Sequence, residues 1–284
     1  VEINPKENLD MQGALQIAER LRVAAVQMVS TPRLEDNLEQ AAQGIAQAVQ
    51  EDAHLVVLPE YFCLMGHADT DKLALREAVG QGPIQDFLRA QARQHGIWLV
   101  GGTLPLDSGQ ADRIYNTSLV YGPDGSQLAR YDKIHLFGFS GATEAYDESR
   151  TIRAGSAPQS FDAPCGRVGL SICYDLRFPE LYRAFVPATL MVVPSAFTYT
   201  TGAAHWEVLL RARAIENQCY ILAAAQGGRH ENGRRTWGHS MLIDPWGAIV
   251  DCLPEGPGIV VGDVERERLA EVRAALPALQ HRVL

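Results

Sequence analysis

Long apolar runs are missing from this chain. No stretch reaches the roughly 20 residues that a membrane-spanning helix requires, so no membrane partner is expected. An excess of positive charge is missing too: 25 Lys and Arg stand against 34 Asp and Glu, giving a net charge of −9. A nucleic-acid binder neutralises phosphates with basic patches, and this balance argues against one. It does not exclude a small anionic substrate, because a pocket can carry a local field opposite to the net charge. Cysteine is sparse, and Cys63, Cys165, Cys173, Cys219 and Cys252 are odd in number with no CxxC pair. Such usage suits a reducing compartment better than a disulfide framework. Residues 1–20 contain no continuous apolar segment of the signal-peptide kind, and a cytoplasmic location is the expectation. HExxH, Walker A, GxGxxG after a strand and Cys/His pairs spaced for zinc are all absent. No metal and no cofactor are therefore expected.

What is present is an alternation of apolar runs and amphipathic stretches over 284 residues, 46% of them hydrophobic. Residues 22–29 (RVAAVQMV), 54–60 (HLVVLPE), 97–103 (IWLVGGT), 168–173 (VGLSIC), 190–194 (LMVVP) and 219–226 (CYILAAAQ) are nearly continuous apolar runs. Continuity rather than alternation predicts strands covered on both faces. Residues 118–121 add a strand closed by the turn sequence GPDG, and 239–250 (HSMLIDPWGAIV) reads as strand, tight turn, strand. Apolar residues recur at three- and four-residue steps from Leu34 to Val49 and from Gly82 to His95, which predicts helices. Further helices are expected from about Pro179, over 205–217 and over 264–275. Strands alternating with helices make an α/β layered fold. One domain over residues 21–284 is expected, preceded by an extension at 1–20.

Three reactive side chains stand at or just beyond such runs. Glu60 ends LVVLPE, Lys133 lies in RYDKIHLF (130–137), and Cys173 ends VGLSIC. Ligand chemistry in α/β sheets collects at the carboxyl ends of strands. A thiol, an ammonium and a carboxyl group meeting there form a complete acyl-transfer set: a nucleophile, a cation for the oxyanion and a proton shuttle. Taken singly, each has a duller explanation. A strand-end cysteine is more often inert core, and Glu60 and Lys133 can each be solvated surface groups.

The segments LPEYF (58–62), RYDKIHLF (130–137) and CYDLRFPEL (173–181) together resemble the three signature blocks of the nitrilase superfamily, in its order Glu, Lys, Cys. The lysine follows the glutamate by 73 positions and the cysteine follows the lysine by 40, which also suits that family. The resemblance spans roughly residues 21–284. It implies a four-layer αββα sandwich and a thioester mechanism on Cys173. Glu60 would take and return the proton, while Lys133 and the backbone N–H of Tyr174 would form the oxyanion hole. Glu148 matches a second family glutamate and would hold Lys133 in position. Residues 196–233 and 238–247 resemble the Nit branch, nearest the deaminated-glutathione amidases, which release 2-oxoglutarate and cysteinylglycine. The alternatives are an ω-amidase acting on 2-oxoglutaramate, nitrile hydrolysis, or a non-catalytic interaction protein on the same fold. Gly138 and the loop 138–147 (GFSGATEAYD) depart from Nit relatives.

Arg177 is the best candidate for a substrate carboxylate, since its planar fork suits a bidentate pair. Asp175 or Glu180 could instead claim it as a structural ion pair. Tyr61, Phe197 and Thr198 are candidates for lining the pocket, with packing as the competing role. His205 anchors a rival cysteine–histidine mechanism, and His135 and His239 read as structural. Relatives assemble through helices near the nucleophile, so a homodimer or higher homo-oligomer is expected beside a small-molecule amide substrate.

Overall fold

The computed structural model describes residues 18–141 and 145–283. Most of the expected extension, residues 1–17, lies outside the described residues. The first half of the chain forms β1 (Arg20–Gln27), α1 (Leu34–Gln50), β2 (Leu55–Val57), α2 (Asp71–Ala74), α3 (Pro83–His95), β3 (Trp98–Val100), β4 (Leu104–Gln110), β5 (Arg113–Tyr121) and β6 (Gln127–Asp132). Then come β7 (Gly138–Ser140), β8 (Ala145–Asp147), β9 (Ser160–Ala163), β10 (Gly166–Leu170), α4 (Pro179–Arg183) and β11 (Leu190–Ser195). The chain finishes with α5 (Tyr199–Asn217), β12 (Tyr220–Ala225), β13 (Ser240–Ile243), β14 (Ile249–Leu253), β15 (Gly258–Glu265) and α6 (Arg266–Ala275).

Two sheets pack face to face. One runs β15-β1-β2-β3-β5-β4 with β6 on the other edge of β5; the second runs β14-β13-β12-β11-β10-β9. Apart from isolated bridges, parallel pairing among the described residues joins β1–β2–β3 and β10–β11–β12, the strands that read as continuous apolar runs. Their burial explains that reading. In β1, Val23 and Ala25 face the inter-sheet core with Val192, Leu222 and Leu242, while Ala24 and Val26 face Ala41 and Ile45 of α1 and Leu88 of α3. On the far side Trp206, Leu210 and Ala214 of α5 join the core of the second sheet. Helix, sheet, sheet and helix are the four layers of the αββα sandwich.

Several elements depart from their expected bounds. β15 pairs with β1 along its whole length but buries residues alternately, so it lacks the continuous signal and was not expected. β4 and β6 are polar and partly exposed, and β9 is short. Helix α5 starts at Tyr199 rather than 205 because Thr198 caps it, its Oγ1 accepting from the Thr201 N–H at 3.3 Å. Gly138–Ser140 pairs with Ala145–Asp147, which gives the expected loop 138–147 a short two-stranded base.

Candidate active site

Four segments converge at the carboxyl ends of β2 and β10. Pro59 ends the apolar run after β2 and delivers Glu60, whose side chain is 1% exposed. One carboxyl oxygen, Oε1, accepts from Lys133 Nζ at 2.8 Å and from Asn116 Nδ2 at 3.0 Å. The other, Oε2, accepts from the Ala196 N–H at 3.0 Å. Lys133 follows β6 directly, and its N–H donates to Asn116 O of β5 at 2.9 Å. Asn116 thus touches both partners, on its main chain and on its side chain.

Lys133 is completely buried. Besides Glu60 it donates to both oxygens of Glu148, at 2.8 and 3.0 Å. Glu148 also accepts from Tyr61 Oη and from the Phe137 N–H, each at 2.7 Å. Taking one partner from a buried ion pair costs about 3–5 kcal/mol, so the surrounding donors hold this group together. The two carboxyl groups respond in opposite directions. Burial, reinforced by the charge of Glu148, raises the pKa of Glu60 despite Lys133. Burial also acts upward on Glu148, but Lys133, Phe137 and Tyr61 prevail and hold it below the ordinary carboxylate value. For Lys133, burial acts downward and the two glutamates more than reverse it, raising its pKa.

Cys173 opens a short 3₁₀ turn, Cys173–Arg177, at a φ of +48°. Its thiol lies within the electrostatic reach of both Glu60 and Lys133. Burial and the Glu60 charge raise its pKa well above that of a free thiol, so the resting sulfur is protonated. The turn is locked by Asp175, which is fully buried. Asp175 accepts from Tyr131 Oη at 2.7 Å, from the Ile172 N–H at 2.8 Å and from the His135 N–H at 3.1 Å. His135 Nδ1 lies 2.7 Å from the same carboxylate, and its ring stacks on Phe178 at 3.7 Å. Asp175 therefore ties the lysine-bearing segment to the cysteine-bearing turn. Within that turn the first i→i+3 bond is Asp175 N–H to Ile172 O at 3.0 Å. The Tyr174 N–H precedes it, as the opening donors of a helical turn do.

The remaining sequence candidates fall into two groups. Arg177, Phe197 and Thr198 line one small depression together with Phe137, Cys173 and Tyr174. Tyr61 is not among the lining residues, and its hydroxyl is engaged by Glu148. Among the described residues Arg177 pairs with no carboxylate. It lies 3.2 Å from His205 Nδ1 and over the rings of Tyr174 and Phe197. Asp175, the expected competitor for Arg177, is occupied elsewhere. His205 faces Arg177 rather than the thiol, which removes the basis for a cysteine–histidine pair. His239 bonds Trp237 O at 2.9 Å. Burial pushes Cys63, Cys165 and Cys219 up to about 12. Asn116 was not anticipated and Asp175 only as a rival partner for Arg177; the signal for their actual roles was a polar residue inside an otherwise apolar strand or motif.

The profile of the carbon-nitrogen hydrolase family matches residues 22–274. The deaminated glutathione amidase of Synechocystis is 44% identical over 266 residues, covering 92% of this chain and 97% of that protein. Saccharomyces cerevisiae Nit3, described as a member of branch 10 of the nitrilase superfamily, superposes with a TM-score of 0.84. It is 34% identical, over 94% of this chain and 98% of its own. A mutant amidase from Nesterenkonia sp. AN1, with acrylamide added at its active-site cysteine, superposes with a TM-score of 0.74 at 27% identity, over 92% and 99% of the two chains.

Proposed function

The chain belongs to the carbon-nitrogen hydrolase family, and from that premise we propose a thioester mechanism in which Cys173 attacks the amide carbon. The proton of the thiol passes to Glu60 as the sulfur–carbon bond forms. Lys133 Nζ and the Tyr174 N–H stabilise the oxyanion. Glu60 returns the proton to the leaving nitrogen, the carbon–nitrogen bond breaks, and the amine departs. Glu60 then takes a proton from water, whose oxygen attacks the thioester, and the proton returns to the sulfur as the acid leaves. Glu148 stays ionised throughout and keeps Lys133 in place.

The observation that carries this reading is the buried group in which Lys133 Nζ lies 2.8 Å from both Glu60 and Glu148, next to Cys173. A proton shuttle works best with a raised pKa and a fixed counter-ion with a lowered one. Glu60 and Glu148 share Lys133 yet are displaced in those opposite directions. A neutral thiol beside a carboxylate also calls for proton transfer during attack, and Glu60 is the carboxyl group whose charge acts most strongly on Cys173.

The substrate in this reading is deaminated glutathione, the function named for the Synechocystis relative. Arg177, unpaired by any carboxylate among the described residues, takes the carboxylate of the acyl half, with Phe197 and Thr198 beside it and Tyr61 bracing Glu148. The catalytic domain runs from residue 21 to the end of the chain, and the enzyme works as a homo-oligomer in the cytoplasm. No helix among the described residues is long and apolar enough to cross a membrane. The test is a comparison of kcat/KM for deaminated glutathione and 2-oxoglutaramate. Deaminated glutathione should be preferred by at least about tenfold; preference for 2-oxoglutaramate would overturn the substrate assignment while leaving the chemistry.

A further inference from the structure

Two cations near the site have no role in the chemistry above. Lys72 belongs to α2, and Arg234 to the turn that follows β12 and precedes β13. Both are half-buried. Their segments are fastened to each other: Asn232 Nδ2 donates to Gly66 O at 2.6 Å, while the Arg234 N–H donates to Asn232 Oδ1 at 2.9 Å. The turn is closed by the His230 N–H on Arg234 O at 2.9 Å. Asp71 anchors the other side by accepting from the Ala68 N–H at 3.0 Å. These are rigid presentations of two long basic side chains.

Each cation rests on a tyrosine that leads to the catalytic group. Lys72 Nζ sits 5.6 Å from the centre of the Tyr61 ring, and Tyr61 Oη bonds Glu148. The Arg234 guanidinium sits 4.9 Å from the centre of the Tyr146 ring, which packs on Phe137 at 5.6 Å. Phe137 lines the depression with Cys173. Among the described residues neither cation makes a salt bridge. Glu148 is the strongest negative influence on Lys72, and it is already saturated by Lys133, Tyr61 and Phe137. Burial and the charge of Arg234 both disfavour the Lys72 ammonium. The two half-buried like charges repel one another. An anion between them would relieve both the repulsion and the desolvation.

We propose that Lys72 and Arg234 form a second anion subsite, which takes the terminal carboxylate on the amine half of the substrate. This rests on the amidase reading above. A substrate carrying carboxylates on both sides of the scissile bond needs two cationic contacts. Arg177 lines the same depression as Cys173 and suits the short acyl half, which stays on the sulfur. Lys72 and Arg234 lie outside that lining, each against a further ring, Tyr61 and Tyr146, and suit the longer departing half. Arg234 supplies the planar fork, and Lys72 the point charge.

The test uses the wild-type enzyme, Lys72→Met and Arg234→Gln with three substrates: deaminated glutathione, its C-terminal glycinamide, and 2-oxoglutaramate, which lacks the amine half. Wild type should prefer the free carboxylate over the glycinamide by about tenfold or more. Each variant should lose most of that preference through a higher KM for deaminated glutathione, with kcat and the kinetics of 2-oxoglutaramate unchanged. Variants that retain the full preference, or that weaken all three substrates equally, overturn the subsite alone. A wild-type enzyme that turns over neither peptide-like substrate overturns the substrate assignment and the subsite with it.

Discussion

Cys173 and Tyr61 sit at positive φ, +48° and +57°, a conformation that costs a non-glycine residue on the order of 1–3 kcal/mol. The first points the sulfur at Glu60, and the second lets Tyr61 send its hydroxyl to Glu148 while its N–H reaches Thr103 Oγ1 at 2.9 Å. The residues that the structure brings together were legible in the sequence, because Glu60, Lys133 and Cys173 lie in distinctive blocks and Glu148 stands between the last two of them. Asp175 was legible only as a possible partner of Arg177. Of its true partners Ile172 lies three residues back, while Tyr131 and His135 become neighbours only when the segments after β6 and β10 come together. A pH dependence follows from Glu60. Its carboxyl group must be ionised to accept the thiol proton, so kcat/KM should fall as pH drops through its raised pKa. The limb should be centred above the ~4.3 of a free glutamate, as an apparent value belonging to the coupled group. A pH–rate profile with its acid limb at or below that value would count against Glu60 as the base.

Among elements, the parallel strands and the β13–β14 hairpin were readable, and the antiparallel edges β4, β6, β9 and β15 were not. β1, β2, β10, β11 and β12 are apolar on both faces because a layer covers each side. By contrast β4 and β6 carry Asp107, Arg130 and Asp132 on partly exposed faces, and only pairing with β5 makes them strands. The start of α5 was hidden for a related reason. Thr200, Thr201 and Gly202 are weak helix formers, and the helix extends through them from the Thr198 cap. Thr198→Ala should therefore destabilise the protein by about 1 kcal/mol and Thr198→Ser by much less, measured from denaturant midpoints at unchanged slope. Equal midpoints for wild type and Thr198→Ala would show that the cap contributes nothing.

At the scale of the whole molecule, α5 is apolar on more than its inward face. Val208 is 61% exposed and Ile215 48% exposed, and Trp246, at 56%, lies nearby on the turn between β13 and β14. Arg211 Nε bonds Gly247 O at 2.9 Å, joining that turn to the helix. Large apolar side chains exposed together in this way call for cover, and a second copy of the chain supplies it in the homo-oligomer proposed above. Light scattering at micromolar concentration should give at least the dimer mass, and Val208→Glu with Ile215→Lys should shift it toward monomer. An active wild-type monomer would remove this face from the proposal.

The thioester on Cys173 is tested most directly by acid-quenching the enzyme during turnover of deaminated glutathione, then mapping the acyl group by peptide mass. The 2-oxoglutaryl group is expected on the peptide that carries Cys173, and absent from Cys173→Ala, which should be folded and inactive. An acyl group on any other residue, or undiminished turnover by Cys173→Ala, would contradict the mechanism.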